Sequence, residues 1–564
     1  MIGRLVDPGS YCAPMSVLPA IDQVLTETFQ TLPLVGLYAE IHYRFPIRFS
    51  RYFRRIPEIL FDLPWRCQPG QTPSLFLLVK DAQRFPVRLG TVRIELQGPD
   101  DQALELVVPL DKDLSDRLWT MEIPLDNLHG KTGIWRIKPL LDYQVGKRVH
   151  TLAIDNYPQL KKEPLRIQLS ATPLPTPAGW LRGEMHYHSS LTDDQVEFGA
   201  PLSMSQRGGT ITGLDFLNVT DHSYDLDDRP ENYLENDPDL VKWHTSRRQM
   251  AELNAVGTCQ LLPGEEISIR NHRGRTVHML HSLDPTYYPG SGDGADAWPR
   301  IRCELAIPEV LSQAPATSFT IAAHNGYGSP WLHRLLLGRD IWYAKDLAQP
   351  GLHGAQILSG TPSHPDYRRS KDTWIAALLN GRRLAAIGGS DAHGNFNRFR
   401  QVKLPMWSLM QHDDQVLGQV QTLVHSDVNT PEAISRAIRQ RATAVSSGPA
   451  GNLLVTCQGK KAGIGETLSV PSDSEVQVAI TGLSTAEFGL LESGRLIRGD
   501  LVRESESVIA EFSPGQFQHS ESITLTINTP CYLRLEWETP GGLWPGVYVS
   551  SPVWITFNEN PRTR

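Results

Sequence analysis

Six short stretches of this 564-residue chain end an apolar run on a histidine or a carboxylate. They carry Glu184, His186 and His188; Asp221 and His222; Glu265 and Glu266; His278; His324; and Asp391 and His393. Fourteen of the eighteen histidines lie between His186 and His425. Borderline and hard divalent cations take imidazole and carboxylate ligands, so metal binding is the first chemistry these residues suggest. Each stretch alone has a plainer reading. A His-x-His pair is often two packed or exposed histidines, Thr-Asp-His is a common turn, and Gly-Glu-Glu can be a solvated strand end. Six such stretches at like positions of successive strands are hard to obtain from packing alone. A buried histidine–carboxylate cluster without a cation would also carry a large desolvation cost.

The spacing adds detail. His186 and His188 are two apart, so on a strand both imidazoles leave the same face. Asp391 and His393 repeat that spacing. Asp221 and His222 are adjacent, so only one can point inward; His222 is assigned to a metal and Asp221 to an orienting hydrogen bond. A strand would likewise point only one of Glu265 and Glu266 inward. His278 could be a satisfied core histidine, with His281 as its rival. Arg398 and Arg400 follow Asp391 and His393 closely enough to reach a substrate anion, or they lie on a solvated loop.

These residues need elements to position them. Between Trp180 and Gly448 strands and helices alternate. Leu214 to Thr220 runs into Asp221, Phe319 to Ala323 into His324, and Leu384 to Ile387 towards Asp391. Leu240 to Val256 is helical and stops at Gly257; Thr430 caps a last helix with Pro431 in its first position. Such alternation predicts a mostly parallel sheet closed into a barrel, with the polar residues on its C-terminal rim. From about Val35 to Gln168 the period is two. Val92, Ile94 and Leu96, then Gly98 to Asp101, then Leu104, Leu106 and Val108 read as a hairpin. Alternation returns after Asn452. The expected organisation is an N-terminal extension (1–34), a β-sandwich domain (35–172), a barrel (180–449) and a C-terminal β domain (450–564). Residues Pro173 to Gly179 form a stiff linker.

Composition bounds the function. The chain is 40 % apolar and 21 % charged with a net charge of −8, and no Lys/Arg run tracks phosphates, so nucleic acid is not the expected partner. No apolar run reaches the roughly 18 residues of a membrane span, and residues 1–20 do not read as a secretory signal. Six dispersed cysteines without a C-x-x-C pair fit a reducing compartment, and a cytoplasmic location is expected. The sequence does not give the oligomeric state.

The ordered motifs resemble those of the polymerase and histidinol phosphatase (PHP) superfamily. They are His186 to Asp193, Gly213 to His222, Gly264 to Ser268, His324, and Gly389 to His393. The flanking β regions and Trp180 to His186 further resemble its CehA/McbA-like branch, which includes a carbaryl hydrolase. Asn325 stands where the family commonly has proline. The resemblance implies a distorted (β/α)7 barrel flanked by N-terminal and C-terminal β-sandwich-like domains, with two or three divalent metals (Zn, Mn or Fe). It implies that His186, His188, Glu266 and Asp391 hold one metal. Glu266 would bridge to a second held by His278 and His324, and Asp193, His222 and His393 would hold a third. Asp193, Asp221, Arg398 and Arg400 are then the candidate catalytic groups.

No G-x-S-x-G elbow or P-loop is present. The expected function is therefore hydrolysis of a small-molecule substrate by a metal-bound hydroxide, as a phosphoesterase first. The alternatives are a carbamate, ester or amide hydrolase of the carbaryl-hydrolase type, or a non-catalytic binding protein.

Overall fold

The computed structural model describes residues 55–158, 160–192, 199–230, 232–291, 302–328, 334, 338–404, 408–542 and 544–558. The expected extension 1–34 and Asp193 lie outside the described residues. Among the described residues strand takes up 45 % and helix 15 %, so this part of the molecule is mainly β.

In the N-terminal part, strands Val87–Gln97 and Ala103–Leu114 pair as the expected hairpin, with Ile94 opposite Leu106 and Leu96 opposite Leu104. They belong to a six-stranded sheet; a second sheet has three strands, Glu58–Asp62, Ser74–Lys80 and Leu118–Pro124. The period-two pattern turns one row of side chains from each sheet inward. Leu75, Leu77 and Val79 thereby share a core with Val92, Ile94 and Leu141.

The large sheet carries the histidine-rich strands. In chain order these are β1 (Trp180–His188), β2 (Phe216–Val219), β3 (Gln260–Arg270), β4 (Thr276–Ser282), β5 (Phe319–Ala322), β6 (Gly354–Leu358), β7 (Ala385–Gly388), β8 (Gln421–His425) and β9 (Thr443–Ser446). The main helices are α1 (Leu202–Thr212), α2 (Val241–Asn254), α3 (Ile307–Gln313), α4 (Pro365–Leu379) and α5 (Pro431–Arg439). At the start of α5 the Thr430 hydroxyl accepts from Ala433 N at 3.3 Å, which satisfies one free donor of the first turn. Ile434 and Ile438 of α5 are fully buried against Met185, Phe216, Ile321 and Ile387. Truncating either isoleucine to alanine would cost about 2–5 kcal/mol.

The expected (β/α)7 barrel is not formed. Strands β1, β2 and β3 run parallel, as do β5, β6 and β7. Between the two runs, β3–β4 and β4–β5 are antiparallel, and β8 adds antiparallel to β1 on the other side. The reason is local. Only residues 271–275 separate β3 from β4, and a parallel crossover needs a dozen residues or more. The sheet also does not end at β8. It runs on from β8 through β9 to Gly546–Ser550 and Cys531–Thr539, so the flanking C-terminal strands extend the same sheet.

The sheet curls until β7 comes back to β8 and β9, where hydroxyl side chains make the junction, and just beyond β7 the backbone pairs Ala392 and His393 with Tyr187 and His188 of β1. Thr422 Oγ1 accepts from Gly388 N at 2.9 Å and donates to Gly388 O at 2.7 Å. Thr443 Oγ1 donates to Ala386 O at 3.0 Å. The approach needs glycine at 388, where a Cβ would lie 2.7 Å from the Val445 side chain. Among the described residues no helix is long and apolar enough to cross a membrane.

Candidate metal centre

The parallel strands end their polar residues at one edge of the curl. β1 supplies His186 and His188, the turn after β2 supplies Asp221 and His222, and β3 supplies Glu266. The same-face position on the antiparallel partner β4 supplies His278, because the register sets Ser268 opposite His278. His324 follows β5, and Asp391 and His393 follow β7. An isolated bridge pairs His222 with Glu266, and another pairing sets His188 beside His393.

Eight of the nine expected ligands come together in three overlapping groups. These are His186, His188, Glu266 and Asp391; Glu266, His278 and His324; and His188, His222 and His393. In the first group His186 Nε2 lies 3.1 Å from His188 Nε2, 3.3 Å from Glu266 Oε2 and 3.1 Å from Asp391 Oδ1. His188 Nε2 lies 3.4 Å from Glu266 Oε2 and 3.2 Å from Asp391 Oδ1. Ligands held about 2.0–2.2 Å from a cation sit roughly 2.9–3.5 Å from one another, from octahedral to tetrahedral geometry. Glu266 is shared, since its other oxygen lies 2.9 Å from His278 Nδ1 and 3.2 Å from His324 Nε2.

The outer contacts set which imidazole nitrogens face inward. Asp221 accepts from Ser189 N (2.7 Å), Ser189 Oγ (2.8 Å), Thr192 N (3.2 Å) and Thr192 Oγ1 (2.9 Å). With its proton given to Asp221, the Thr192 oxygen is free to accept from His188 Nδ1 at 3.3 Å. His188 Nε2 is then a lone pair aimed at the centre. His393 Nδ1 donates to Asp391 O at 3.1 Å, which turns its Nε2 inward too. Buried His222 Nδ1 has no hydrogen-bond partner, although it lies 3.1 Å from Glu266 Oε2. Lone pairs and an unpartnered nitrogen around two carboxylates fit a cation.

Charge balance agrees. Burial pushes Glu266 and Asp391 up, but the facing histidines hold both well below the usual carboxylate range. Burial pulls His222, His324 and His393 down. His188 runs against its own burial, held up to about 10 by Asp391 and Glu266, and His186 is raised by the same pair. Two buried negative charges thus call for two positive ones at the centre, supplied by protons or by a divalent cation.

No family model matches the chain. No curated protein matches it either. Among solved structures, a protein described as a β-galactosidase from Bacteroides fragilis shares 8 % identity with it, covering 89 % of this chain and 74 % of its own at a TM-score of 0.19. A calcium-binding mutant of Bacteroides uniformis β-glucuronidase 2 shares 11 %, covering 89 % of this chain and 61 % of its own at 0.16. A late embryogenesis abundant protein shares 11 %, covering 28 % of this chain and 96 % of its own at 0.13. Likenesses at this level carry no argument about fold or activity.

Several expectations about individual residues need correction. Arg398 and Arg400 do not face the centre. Arg398 donates to the carbonyls of Glu163 (2.7 Å) and Pro164, and buried Arg400 pairs with Asp155 at 3.4 Å. Both tie the segment after His393 to the N-terminal part, because Phe399–Leu404 pairs, among the described residues, only with Ser408–His412 in a separate hairpin that leaves the rim. Asp221 orients Ser189, Thr192 and through them His188, and its four bonds do not go to His222. The rival choices resolve by strand parity. Glu265 sits opposite His281 on the other face of the β3–β4 pair; there Glu265 accepts from Ser223 Oγ at 3.2 Å and His281 pairs with Asp284 at 2.7 Å.

Two buried residues received no role from the sequence, although Glu184 was named in the first stretch. Glu184 accepts from Ser390 N (2.8 Å), Ser390 Oγ (2.5 Å), His186 N (3.1 Å) and Gly418 N (3.2 Å), which fixes the turn that carries Asp391. Gln356 lies beneath His186 on β6. Its signal was a lone amide inside the apolar run Gly354 to Leu358. Asn325, at the proline position of the resembled family, donates to Ser370 O on α4 at 3.2 Å.

Proposed function

We propose that this chain is a metal-dependent hydrolase of small molecules, working through two or three divalent cations at the rim. The observation that carries the reading is the cage of His186, His188, Glu266 and Asp391, whose five measured edges run from 3.1 to 3.4 Å. Divalent cations held there would lower the pKa of water and neutralise negative charge developing on a phosphoryl or acyl oxygen. The chain's own residues supply the rest. Glu266 places its two oxygens in adjacent groups, and Asp221 and Thr192 keep His188 turned inward. Asp391, His222 and His324 retain side-chain exposures of 18 %, 12 % and 22 %, which leaves an opening for substrate. The resemblance of the ordered motifs to those of the PHP superfamily supports a phosphoester as the first substrate class.

One observation favours the second reading, a carbamate, ester or amide hydrolase. Arg398 and Arg400 turn away, so neither offers its cation to a phosphoryl anion at the rim. An uncharged acyl substrate needs no such partner. The test is elemental analysis of the purified chain, followed by turnover of p-nitrophenyl phosphate, a phosphodiester, and aryl ester and carbamate substrates with Mn²⁺ or Zn²⁺. Turnover confined to the phosphate esters supports the first reading, and turnover confined to the acyl substrates supports the second. Full metal loading without turnover on any of them points to a binding protein, and absence of bound metal overturns all three.

A further inference from the structure

Gln356 touches three of the segments that carry the rim. It is fully buried on β6. Its Nε2 donates to Gly389 O at 2.9 Å, and its Oε1 accepts from His324 N at 2.9 Å and stands 3.0 Å from His186 Nδ1. The two backbone partners leave the amide one orientation. Flipped, its NH₂ would face the His324 N–H and its oxygen would face the Gly389 carbonyl, two like-against-like contacts. The oxygen therefore points at His186, and a His186 whose Nε2 holds a cation donates its Nδ1 proton to it. Its Nε2 is then the lone pair that faces Glu266 and Asp391.

The backbone contacts bear on the loops. His324 has φ +34° and Asp391 has φ +58°. Both are in the left-handed region, which costs a non-glycine residue free energy and persists only where surroundings impose it. Gln356 binds the N–H of the first residue and the carbonyl two residues before the second. Neither loop has a glycine at the strained position.

We infer that Gln356 is a positioning residue for the metal centre, setting the tautomer of His186 and clamping the His324 and Asp391 loops at once. It rests on the metal reading above and extends it to a residue that touches no cation. Loss of an outer partner of a metal-bound histidine typically weakens metal binding about 10–100-fold.

Two measurements on the full chain test it. The first leaves Gln356 in place. In [¹⁵N]histidine-labelled protein loaded with Zn²⁺, the His186 signal, assigned by its loss in His186→Gln, is expected as the Nδ1–H tautomer. An Nε2–H tautomer overturns the inference. The second compares wild type with Gln356→Met, which keeps the volume and removes the amide. Mn²⁺ binding, followed by competition with a chelating dye, is expected to weaken about 10–100-fold. A folded variant that binds Mn²⁺ within twofold of wild type overturns it. If Gln356→Met does not fold, the tautomer alone decides. Wild type that binds neither Mn²⁺ nor Zn²⁺ would sink the metal reading itself, whereas wild type that binds Zn²⁺ with His186 as Nε2–H would sink only the role of Gln356.

Discussion

His186 Nε2 and His188 Nε2 face each other at 3.1 Å, each with its Nδ1 turned outward to an oxygen acceptor. In neutral rings that contact opposes two lone pairs, so the pair needs a positive charge between the nitrogens. The predictions below start from that requirement.

Metal affinity should fall as the medium becomes more acidic. A cation must displace protons from His186 and His188, whose pKa values are raised, so protons compete at the centre until well into the alkaline range. The expected outcome is an apparent Mn²⁺ affinity that climbs steadily from pH 6 to pH 9, read by calorimetry in two buffers of different ionisation enthalpy. A flat profile with no proton release would contradict it.

Glu266→Gln should weaken metal binding in two adjacent groups and remove at least one ion. Glu266 Oε1 faces His278 and His324 while Oε2 faces His186, His188 and His222. Elemental analysis is expected to show at least one fewer equivalent of metal per chain, and turnover should drop by about two orders of magnitude or more. Full stoichiometry in the variant would show that the carboxylate does not bridge.

Asp221→Asn tests the support behind His188. The amide NH₂ would meet the donors of Ser189 and Thr192 that the carboxylate now accepts, at a cost of about 1–3 kcal/mol. Both the melting temperature and the metal affinity should fall. A variant that melts lower but binds metal as wild type does would confine Asp221 to a structural role.

Arg398→Ala should leave kcat/KM within about threefold, since the guanidinium binds the carbonyls of Glu163 and Pro164. It should lower stability by about 1–2 kcal/mol through the lost hydrogen bonds, seen as a shifted denaturant midpoint. A large rise in KM for an anionic substrate would restore the arginine to the substrate site.

Far from the centre, Glu536 should make acid tolerance depend on a buried ion pair. Burial pushes its pKa up, but Arg534, Lys371 and Arg495 hold it down at about 2. Its folded value is depressed relative to about 4.3 in the unfolded chain. Its stabilisation is therefore present above about pH 4.3 and lost as pH falls towards 2. Glu536→Gln is expected to cost about 3–5 kcal/mol at neutral pH, with the gap to wild type closing between pH 4 and pH 2 in urea melts. A pH-independent gap would mean the loss is one of packing.

What could be read from residues alone was local. Apolar runs that stop at histidine or acid mark strand ends, Thr430 followed by Pro431 marks a helix start, and the Gly98 to Asp101 turn marks a hairpin, because each depends on neighbours within a few residues. The turn 271–275 was equally local, and its shortness already ruled out a crossover between β3 and β4. Alternation states which side chains share a face, but not which face looks inward. The register of β3 on β4 decided that for Glu266 over Glu265 and for His278 over His281. Arg398 and Arg400 went to the N-terminal part through Glu163, Pro164 and Asp155, more than 230 residues away in the chain. Closure of the sheet through Thr422 and Thr443, and the three-way grip of Gln356, likewise join segments distant in sequence. Such pairings arise from packing between strands, and no periodicity within one strand encodes its partner.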